Sequence, residues 1–330
     1  MYRSKDTRID FEKNPDFLNE MLNYYIVVLN SSPSSMKEEN IVLRNFLKYI
    51  AIKFKQKEEN KDMDISELNI DILKKIKKIH IENYIAYLST VNKNKANTIS
   101  KKICCIKHLF YYYSEKNKIL KENPTKDLKC LRREKSLPIY LSLDDSKKVL
   151  SDTYNNDDNK FSIRNYCIVV LFLNLGIRVE ELVSIDINDI SKNKITILGK
   201  GREERVLYLN EICLKAIKKY LEKRIPPEFV KPDEQHSERA LFLTIRKTRI
   251  SVREVQVIIK NAFKQAGLDY KKLSVHKLRH TCATLLYLYG NIDIRTIQKV
   301  LGHDNIETTE IYTHINNKYI KELIENSPIV

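Results

Sequence analysis

Several polar side chains stand beside predicted helix ends or turns, where they could reach a bound molecule. Arg178 comes two residues after Gly176, which ends a strongly apolar segment. His276 and Arg279 lie three residues apart, so on a helix they would share one face. Three further residues are placed in the same way: Lys200 between two glycines, His303 after a glycine, and Tyr312 nine residues later. The chemistry that this set suggests first is the binding of an anion.

The arginine beside the apolar segment is the most informative single residue. Burying a guanidinium is unfavourable unless an anion pairs with it, so Arg178 indicates an anion-binding site. Each residue also has a simpler interpretation. Arg178 could lie at the surface, a His-x-x-Arg pair arises by chance, Gly-Lys-Gly is a common turn, and a tyrosine in a short helix usually packs in a core. The residues taken singly leave both interpretations open.

The elements that position these residues can be predicted from apolar periodicity. In the second half of the chain, helices are predicted at 165–176, 251–267, 274–290 and 292–302. Residues 194–209 alternate between apolar and polar types and turn at Gly-Lys-Gly, which predicts a β-hairpin with Lys200 at its tip. Ser251 and Glu254 form a predicted capping box at the start of one helix. The candidate residues therefore lie at helix ends and at a hairpin tip.

The first part of the chain reads as a small helical domain that ends near residue 125. Helices are predicted at 15–29, 36–54, 77–90 and 96–118. Ser35 is a predicted N-cap of the second helix. The aromatic run at 110–113 most simply packs in the core of this domain, with stacking on nucleic-acid bases as the alternative.

The charge of the chain favours a polyanionic partner. The formal net charge is +16, and residues 1–139 contribute 28 Lys and Arg against 18 Asp and Glu. The alternative is a coding bias towards lysine. A predicted linker at 126–140 is also basic, and we expect it to run along DNA, with an ordinary exposed hinge as the alternative. Its candidate DNA contacts are Lys129, Arg132, Arg133 and Lys135.

The composition also excludes several classes of protein. The six cysteines form no Cys-x-x-Cys pair, and the histidines add no metal spacing, so a zinc site is not expected. The apolar runs are shorter than a membrane span, and the charged first residues do not resemble a signal peptide. We therefore expect a cytoplasmic, nucleoid-associated protein with no membrane partner.

Four blocks of sequence together resemble the tyrosine recombinases, the phage-integrase family, and most closely its Xer branch. They are GIRVEEL (176–182), GKG (199–201), HKLRH (276–280) and LGHDNIETTEIYTH (301–314). The resemblance implies a mainly α fold with a small β-hairpin or sheet. It further implies an N-terminal SAM-like helical core-binding domain at 1–125, the linker at 126–140, and an α+β catalytic domain at 141–330 with a C-terminal exchange helix.

The resemblance also implies a role for each candidate residue. Tyr312 would be the nucleophile that attacks a DNA phosphate, with His276 as its base. Lys200 would protonate the leaving 5′-oxygen. Phosphoryl oxygens would be held by Arg178, Arg279 and His303, and Glu181 would orient side chains of the site. Two arginines beside the hairpin, Arg202 and Arg205, are expected to touch DNA phosphates.

The implied function is site-specific recombination of double-stranded DNA at an inverted-repeat site. Strands would be cut and rejoined through a 3′-phosphotyrosyl intermediate and a Holliday junction, by a tetramer of this chain alone or with a paralogue. No metal, ATP or other cofactor is needed, because the phosphotyrosine conserves the bond energy. The expected role is Xer-like resolution of chromosome dimers. The alternatives are the integrase or invertase of a mobile element, a type IB topoisomerase-like enzyme, and a basic DNA-binding protein without catalysis.

Overall fold

The computed structural model describes residues 9–54, 63–129, 139–156, 161–199, 203–233, 235–269, 273–290 and 292–302. Within these ranges, the residues up to 129 form one compact unit and those from 139 onwards form another. Most of the predicted linker, residues 130–138, lies outside the described residues. The domain bounds given above therefore stay a prediction.

The first unit is helical. Its α-helices are α1 (Asp16–Asn23), α2 (Pro33–Lys53), α3 (Asp71–Lys75), α4 (Lys78–Thr90) and α5 (Ala96–Tyr111). Short π-helical turns, Tyr24–Val28 and Tyr112–Lys116, follow α1 and α5. The prediction that Ser35 caps α2 is wrong. The helix begins earlier because Pro33 suits its first position, and the Ser32 hydroxyl accepts a hydrogen bond from the Ser35 N–H at 3.2 Å.

The aromatic run forms part of the core of this unit. Phe110, Tyr112 and Tyr113 are buried, which confirms the core interpretation for these three residues. Tyr111 is the exception, with 46% of its surface exposed. The rings of Phe46 and Tyr84 pack edge to face in the same core, 5.2 Å apart.

The second unit is built around one apolar helix. Its helices are α6 (Leu143–Tyr154), α7 (Ser162–Leu175), α8 (Val179–Ser184), α9 (Glu211–Leu221), α10 (Val252–Gln265), α11 (Val275–Tyr289) and α12 (Ile294–Leu301). Residues 167–172 of α7 are fully buried, and α6, α9 and α11 pack against this helix. That burial explains why α7 is apolar on all sides rather than along one stripe.

A small antiparallel sheet lies beside α8. Its strands are β1 (Ile190–Ser191), β2 (Lys194–Leu198) and β3 (Glu204–Tyr208), in that order. The predicted hairpin is confirmed, whereas β1, with two residues, was too short to show periodicity. In the register of the hairpin, Leu207 pairs with Ile195 and Arg205 pairs with Ile197. The fold among the described residues is thus mainly α with a small sheet, as predicted.

Two glycines end helices and bring those ends close together. Gly176, after α7, has φ +60°, and Gly302, after α12, has φ +65°. A Cβ atom on Gly176 would lie 2.5 Å from Cδ2 of Leu301. Only glycine therefore permits this backbone turn together with the close approach of α12. The two helix ends meet where the candidate residues begin.

Candidate active site

Arg178 is fixed at the start of α8 by hydrogen bonds of both its backbone and its side chain. Its backbone N–H donates to Oε2 of Glu181 at 2.7 Å, and its Nη1 donates to Oε1 at 2.9 Å. Its Nη2 donates to the carbonyl oxygen of Gly302 at 2.7 Å. The turn at Gly176 sets the chain direction for these contacts. Arg178 is thereby tied to the end of α12, 124 residues further along the chain.

Arg279 is carried by α11 and is almost completely buried. Its Nη1 donates to the carbonyl oxygen of Gly176 at 2.8 Å, and its Nη2 donates to that of Leu301 at 2.6 Å. These carbonyl groups end α7 and α12, where backbone acceptors lack partners within their helices. The same Nη1 lies 4.0 Å from Oε2 of Glu181. The structure therefore brings the two predicted catalytic arginines to one carboxylate.

A third arginine contacts this carboxylate from the sheet. Arg205 on β3 donates from Nη1 to Oε1 of Glu181 and from Nη2 to Oε2, both at 2.8 Å. Such a two-pronged pair is the strongest geometry that a guanidinium and a carboxylate can form. The sequence prediction placed Arg205 on DNA phosphates and did not include this contact. Whether Arg205 also touches DNA stays a prediction.

The sequence did contain a signal for the Arg205 contact, because side chains along β3 alternate between the core and the solvent. Leu207 faces the core, so Arg205, two residues earlier, faces inward as well. Val206 and Tyr208, on the opposite face, are more than half exposed. An arginine in an inward strand position needs an anionic partner. The partner could not be named from the sequence because Glu181 lies 24 residues away.

Glu181 is ionised although it is buried. Only 4% of its side chain is exposed, and burial alone would raise its pKa. The hydrogen bonds from Arg205 and Arg178 outweigh burial and lower the pKa of Glu181 to about 2. The carboxylate balances one of the three positive charges around it. The group formed by Glu181 and its three arginines therefore carries an excess of positive charge, which favours a phosphate.

Arg178 is the arginine of this group that is most open to solvent. Its side chain is 30% exposed, compared with 17% for Arg205 and 8% for Arg279. A guanidinium has five N–H donors. In the part of the chain that the structure describes, two donors of the Arg178 side chain bond to Glu181 and Gly302. No described residue accepts a hydrogen bond from its other three donors, so among these arginines Arg178 is the best placed to bind an anion at the surface.

The two histidines of α11 differ in environment. His276 is exposed at the first turn, three residues before Arg279. His280 is partly buried, and burial, together with the positive charges of Lys277 and Arg279, lowers its pKa to about 4. His280 is therefore neutral at pH 7 and does not add to the positive charge of the site.

Several predicted site residues lie outside the described residues: Lys200, Arg202, His303, Tyr312, Arg132, Arg133 and Lys135. The last linker candidate, Lys129, is exposed in the first unit. Gly199 and Gly302 are described and directly precede Lys200 and His303. The described part of the site thus comprises Arg178, Glu181, Arg205, His276 and Arg279.

A buried arginine outside the site, not considered in the sequence analysis, holds α8 in place. Nη1 of Arg249 donates to the carbonyl oxygens of Val183 and Ser184 at 3.1 and 3.2 Å, and its Nη2 pairs with Asp186. Cations stabilise the carboxyl end of a helix, where carbonyl groups lack partners. Arg249 therefore anchors the helix that carries Glu181.

Known proteins resemble this chain in sequence along most of its length. Residues 142–318 match the model of the phage integrase family. The chain is 42% identical to tyrosine recombinase XerC of Caldanaerobacter subterraneus subsp. tengcongensis, over 96% of this chain and 88% of that protein. It is 31% identical to tyrosine recombinase XerD of Rickettsia bellii, over 95% of this chain and 99% of that protein.

A solved structure shares the fold. It is that of the XerH site-specific recombinase bound to palindromic difH substrate in a post-cleavage complex. The TM-score is 0.71 at 20% identity, over 95% of this chain and 97% of that one. No helix among the described residues is long and apolar enough to cross a membrane, and none of their His, Cys, Asp and Glu side chains cluster as metal ligands would. The chain belongs to the phage integrase family, as a Xer-type tyrosine recombinase, an enzyme that breaks and rejoins DNA.

Proposed function

We propose that this recombinase acts through a covalent 3′-phosphotyrosyl intermediate at Tyr312. The observation that supports this most is the pairing of Arg178 and Arg279 around one carboxylate, with positive charge in excess. Attack on phosphorus places negative charge on the phosphoryl oxygens. Guanidiniums that are already fixed in position stabilise such charge without reorganising.

The other predicted residues complete the reaction. His276 accepts the proton of Tyr312, whose ordinary pKa is near ~10. Lys200 protonates the 5′-oxygen as it leaves, and His303 donates a hydrogen bond to a phosphoryl oxygen. Gly199 and Gly302 directly precede Lys200 and His303; the Gly199 N–H donates to the carbonyl oxygen of Glu203, and the carbonyl oxygen of Gly302 accepts from Arg178. The phosphotyrosine keeps the energy of the broken bond, so a 5′-hydroxyl can reverse the step without metal or ATP.

We further propose a Xer-like role in resolving chromosome dimers in the cytoplasm. The DNA would carry an inverted-repeat site, as the palindromic substrate of the similar XerH does. Four protomers, of this chain alone or with a paralogue, would exchange strands through a Holliday junction. The basic character of both halves of the chain supports extended contact with DNA.

The experiment that tests this proposal traps protein–DNA adducts in the native host and sequences the attached DNA. The wild-type chain should yield covalent adducts, and Tyr312→Phe should reduce them at least about 10³-fold because it removes the nucleophile. DNA binding should persist in Tyr312→Phe. Tyr289→Phe is the matched control, since Tyr289 is an exposed tyrosine of α11 and its loss should leave cleavage unchanged.

Each outcome of the trapping experiment has a definite meaning. One inverted-repeat site near the replication terminus would support dimer resolution. Sites at the ends of a mobile or invertible segment would instead show that the protein is the integrase or invertase of a mobile element. Adducts scattered without a common sequence would favour a topoisomerase-like enzyme. Adducts that persist in Tyr312→Phe would overturn the assignment of the nucleophile.

A further inference from the structure

Arg205 lies at the junction of three elements of the site. It faces inward from β3, and its side chain is 17% exposed. A Cβ atom placed on Gly302, at the end of α12, would lie 3.3 Å from Nη1 and 3.4 Å from Cζ of Arg205. One placed on Gly199, at the end of β2, would lie 3.7 Å from the same Nη1. One guanidinium therefore packs close to the residues that directly precede Lys200 and His303.

The carboxylate that Arg205 binds is also the one that orients Arg178. Oε1 of Glu181 accepts from Nη1 of Arg178 and from Nη1 of Arg205, and Oε2 accepts from the backbone N–H of Arg178 and from Nη2 of Arg205. Two of these four hydrogen bonds come from Arg205. Without them, the carboxylate would keep only its two hydrogen bonds from Arg178 and would hold Arg178 less firmly.

Direct contact between Arg205 and DNA phosphate is the competing role. Both Nη atoms of Arg205 are engaged with Glu181. Its Nε is buried and has no hydrogen-bond partner in the described part of the chain. Each Nη atom keeps one further N–H. The Arg205 side chain is only 17% exposed, however, compared with 30% for Arg178, so Arg178 is the better placed of the two to meet a phosphate. The geometry therefore favours a supporting role.

We propose that Arg205 is a positioning residue of the recombinase, which acts through Glu181 to hold Arg178 and joins the Lys200 hairpin to the end of α12. This inference rests on the proposed function, because it assumes that Arg178 binds the scissile phosphate. It differs from a DNA-contact role in one respect. Loss of Arg205 impairs the chemical step and leaves the affinity for DNA nearly unchanged.

The first test replaces Arg205 by methionine, which keeps an unbranched side chain as far as the Nε position and removes the charged guanidinium group. On DNA at saturating enzyme, the rate constant for adduct formation should fall by about 10-fold to 100-fold, since two charge-assisted hydrogen bonds are lost. The dissociation constant for the same DNA should change less than about 3-fold. A large rise in the dissociation constant with an unchanged rate constant would overturn the proposal in favour of phosphate contact.

The second test is a double-mutant cycle with Glu181→Gln. Because Arg205 acts through Glu181, Arg205→Met should change the cleavage rate of the Glu181→Gln protein less than about 2-fold. Effects of the two substitutions that simply multiply would show that Arg205 acts by another route and would overturn the proposal. The cycle compares rates of folded protein, so a loss of stability alone cannot mimic the expected result.

The pH profile gives a readout that a merely structural arginine would not change. In Arg205→Met, burial still opposes ionisation of Glu181, and the hydrogen bonds and charge of Arg205 that favour it are lost, so the pKa of Glu181 rises. The variant should therefore lose further activity, relative to wild type, as the pH falls from 8 to 5. A constant ratio of the two rates over this range would contradict the proposed link to Glu181.

Two control variants complete the design. Arg205→Lys keeps the positive charge but cannot form the two-pronged pair with Glu181, so it should recover part of the rate of adduct formation. Arg224→Met removes a buried arginine that bonds to the carbonyl oxygens of Ala240 and Leu241, so it should lower stability but not the cleavage rate of folded protein. If wild type itself forms no adduct, the proposed function fails. If wild type and Arg205→Met cleave equally, only this inference fails.

Discussion

At the scale of single residues, the site depends on the charge of Glu181. Burial alone would raise the pKa of this carboxylate, and the hydrogen bonds from Arg205 and Arg178 reverse that effect. The arginines in turn need the carboxylate, because like charges at this spacing repel one another. Catalytic and supporting residues are therefore coupled, and changes to one should alter the others.

We expect Glu181→Gln to lower the free energy of unfolding by about 3 kcal/mol at pH 7. The magnitude follows from the drop in the pKa of Glu181 from 4.5 to about 2 on folding, at ~1.4 kcal/mol per unit. Because the folded pKa is the lower one, this stability is fully present above pH ~4.5 and is lost as the pH falls towards 2. Urea unfolding of the wild-type and Glu181→Gln proteins between pH 7 and pH 3.5 measures the difference in their free energies of unfolding.

The difference between the two proteins should narrow below pH ~4.5. Glu180→Gln, at the exposed neighbouring position, is the control and should change stability by less than about 0.5 kcal/mol. A difference for Glu181→Gln that stays constant down to pH 3.5 would show that the charge of Glu181 does not stabilise the fold.

At the scale of elements, the site forms where the ends of α7, α8 and α12 converge. The carbonyl groups that end α7 and α12, at Gly176, Leu301 and Gly302, accept hydrogen bonds from Arg279 and Arg178. The arginines that would bind phosphate thus also complete these helix ends. A shift of α12 would move both guanidiniums, and a shift of α7 would move that of Arg279.

Gly176→Ala should therefore impair both stability and cleavage. The left-handed backbone alone costs about 1–2 kcal/mol for alanine, and displacing Leu301 adds about 1–3 kcal/mol. Gly267→Ala is the matched control, because Gly267 has φ +68° but the nearest atom to its added Cβ, Nζ of Lys148, is 4.0 Å away. Urea midpoints and adduct yields measure both effects. Equal losses in the two variants would show that contact with α12 is unimportant.

At the scale of the whole molecule, the net charge of +16 favours electrostatic attraction between the enzyme and the phosphates of DNA. Basic residues exceed acidic ones both before and after residue 139, so the surplus is not confined to one patch. Lys74, Lys75, Lys77 and Lys78 are all exposed, whereas Ile72, Leu73 and Ile76 are buried. This basic stretch spans α3 and the start of α4, with Ile76 between the two helices.

The affinity for DNA should fall steeply with salt. Each neutralised phosphate releases a counterion, so the association constant should drop by roughly 10³-fold or more between 50 and 200 mM salt. Fluorescence anisotropy on one duplex measures it, with unfolding followed at the same salt concentrations to show that the protein stays folded. A flat response would contradict binding through many phosphates.

The helices and the hairpin were predictable because the signals that specify them are local in the chain. Apolar spacing gave α7, α10 and α11, and the capping box at Ser251 marks the start of α10 as predicted. The errors were also local. Pro33 moved the start of α2 away from Ser35, and the two residues of β1 are too few to show alternation.

The candidate residues came from the sequence alone, since motif spacing identifies types and order. The contacts among these residues could not be predicted, because each contact joins residues far apart in the chain. Arg279 and Gly176 are separated by 103 positions, and Arg178 and Gly302 by 124. Tertiary structure also decided that Arg205 pairs with Glu181. A strand pattern shows that an arginine faces inward, but only the packing of β3 against α8 determines which carboxylate meets it.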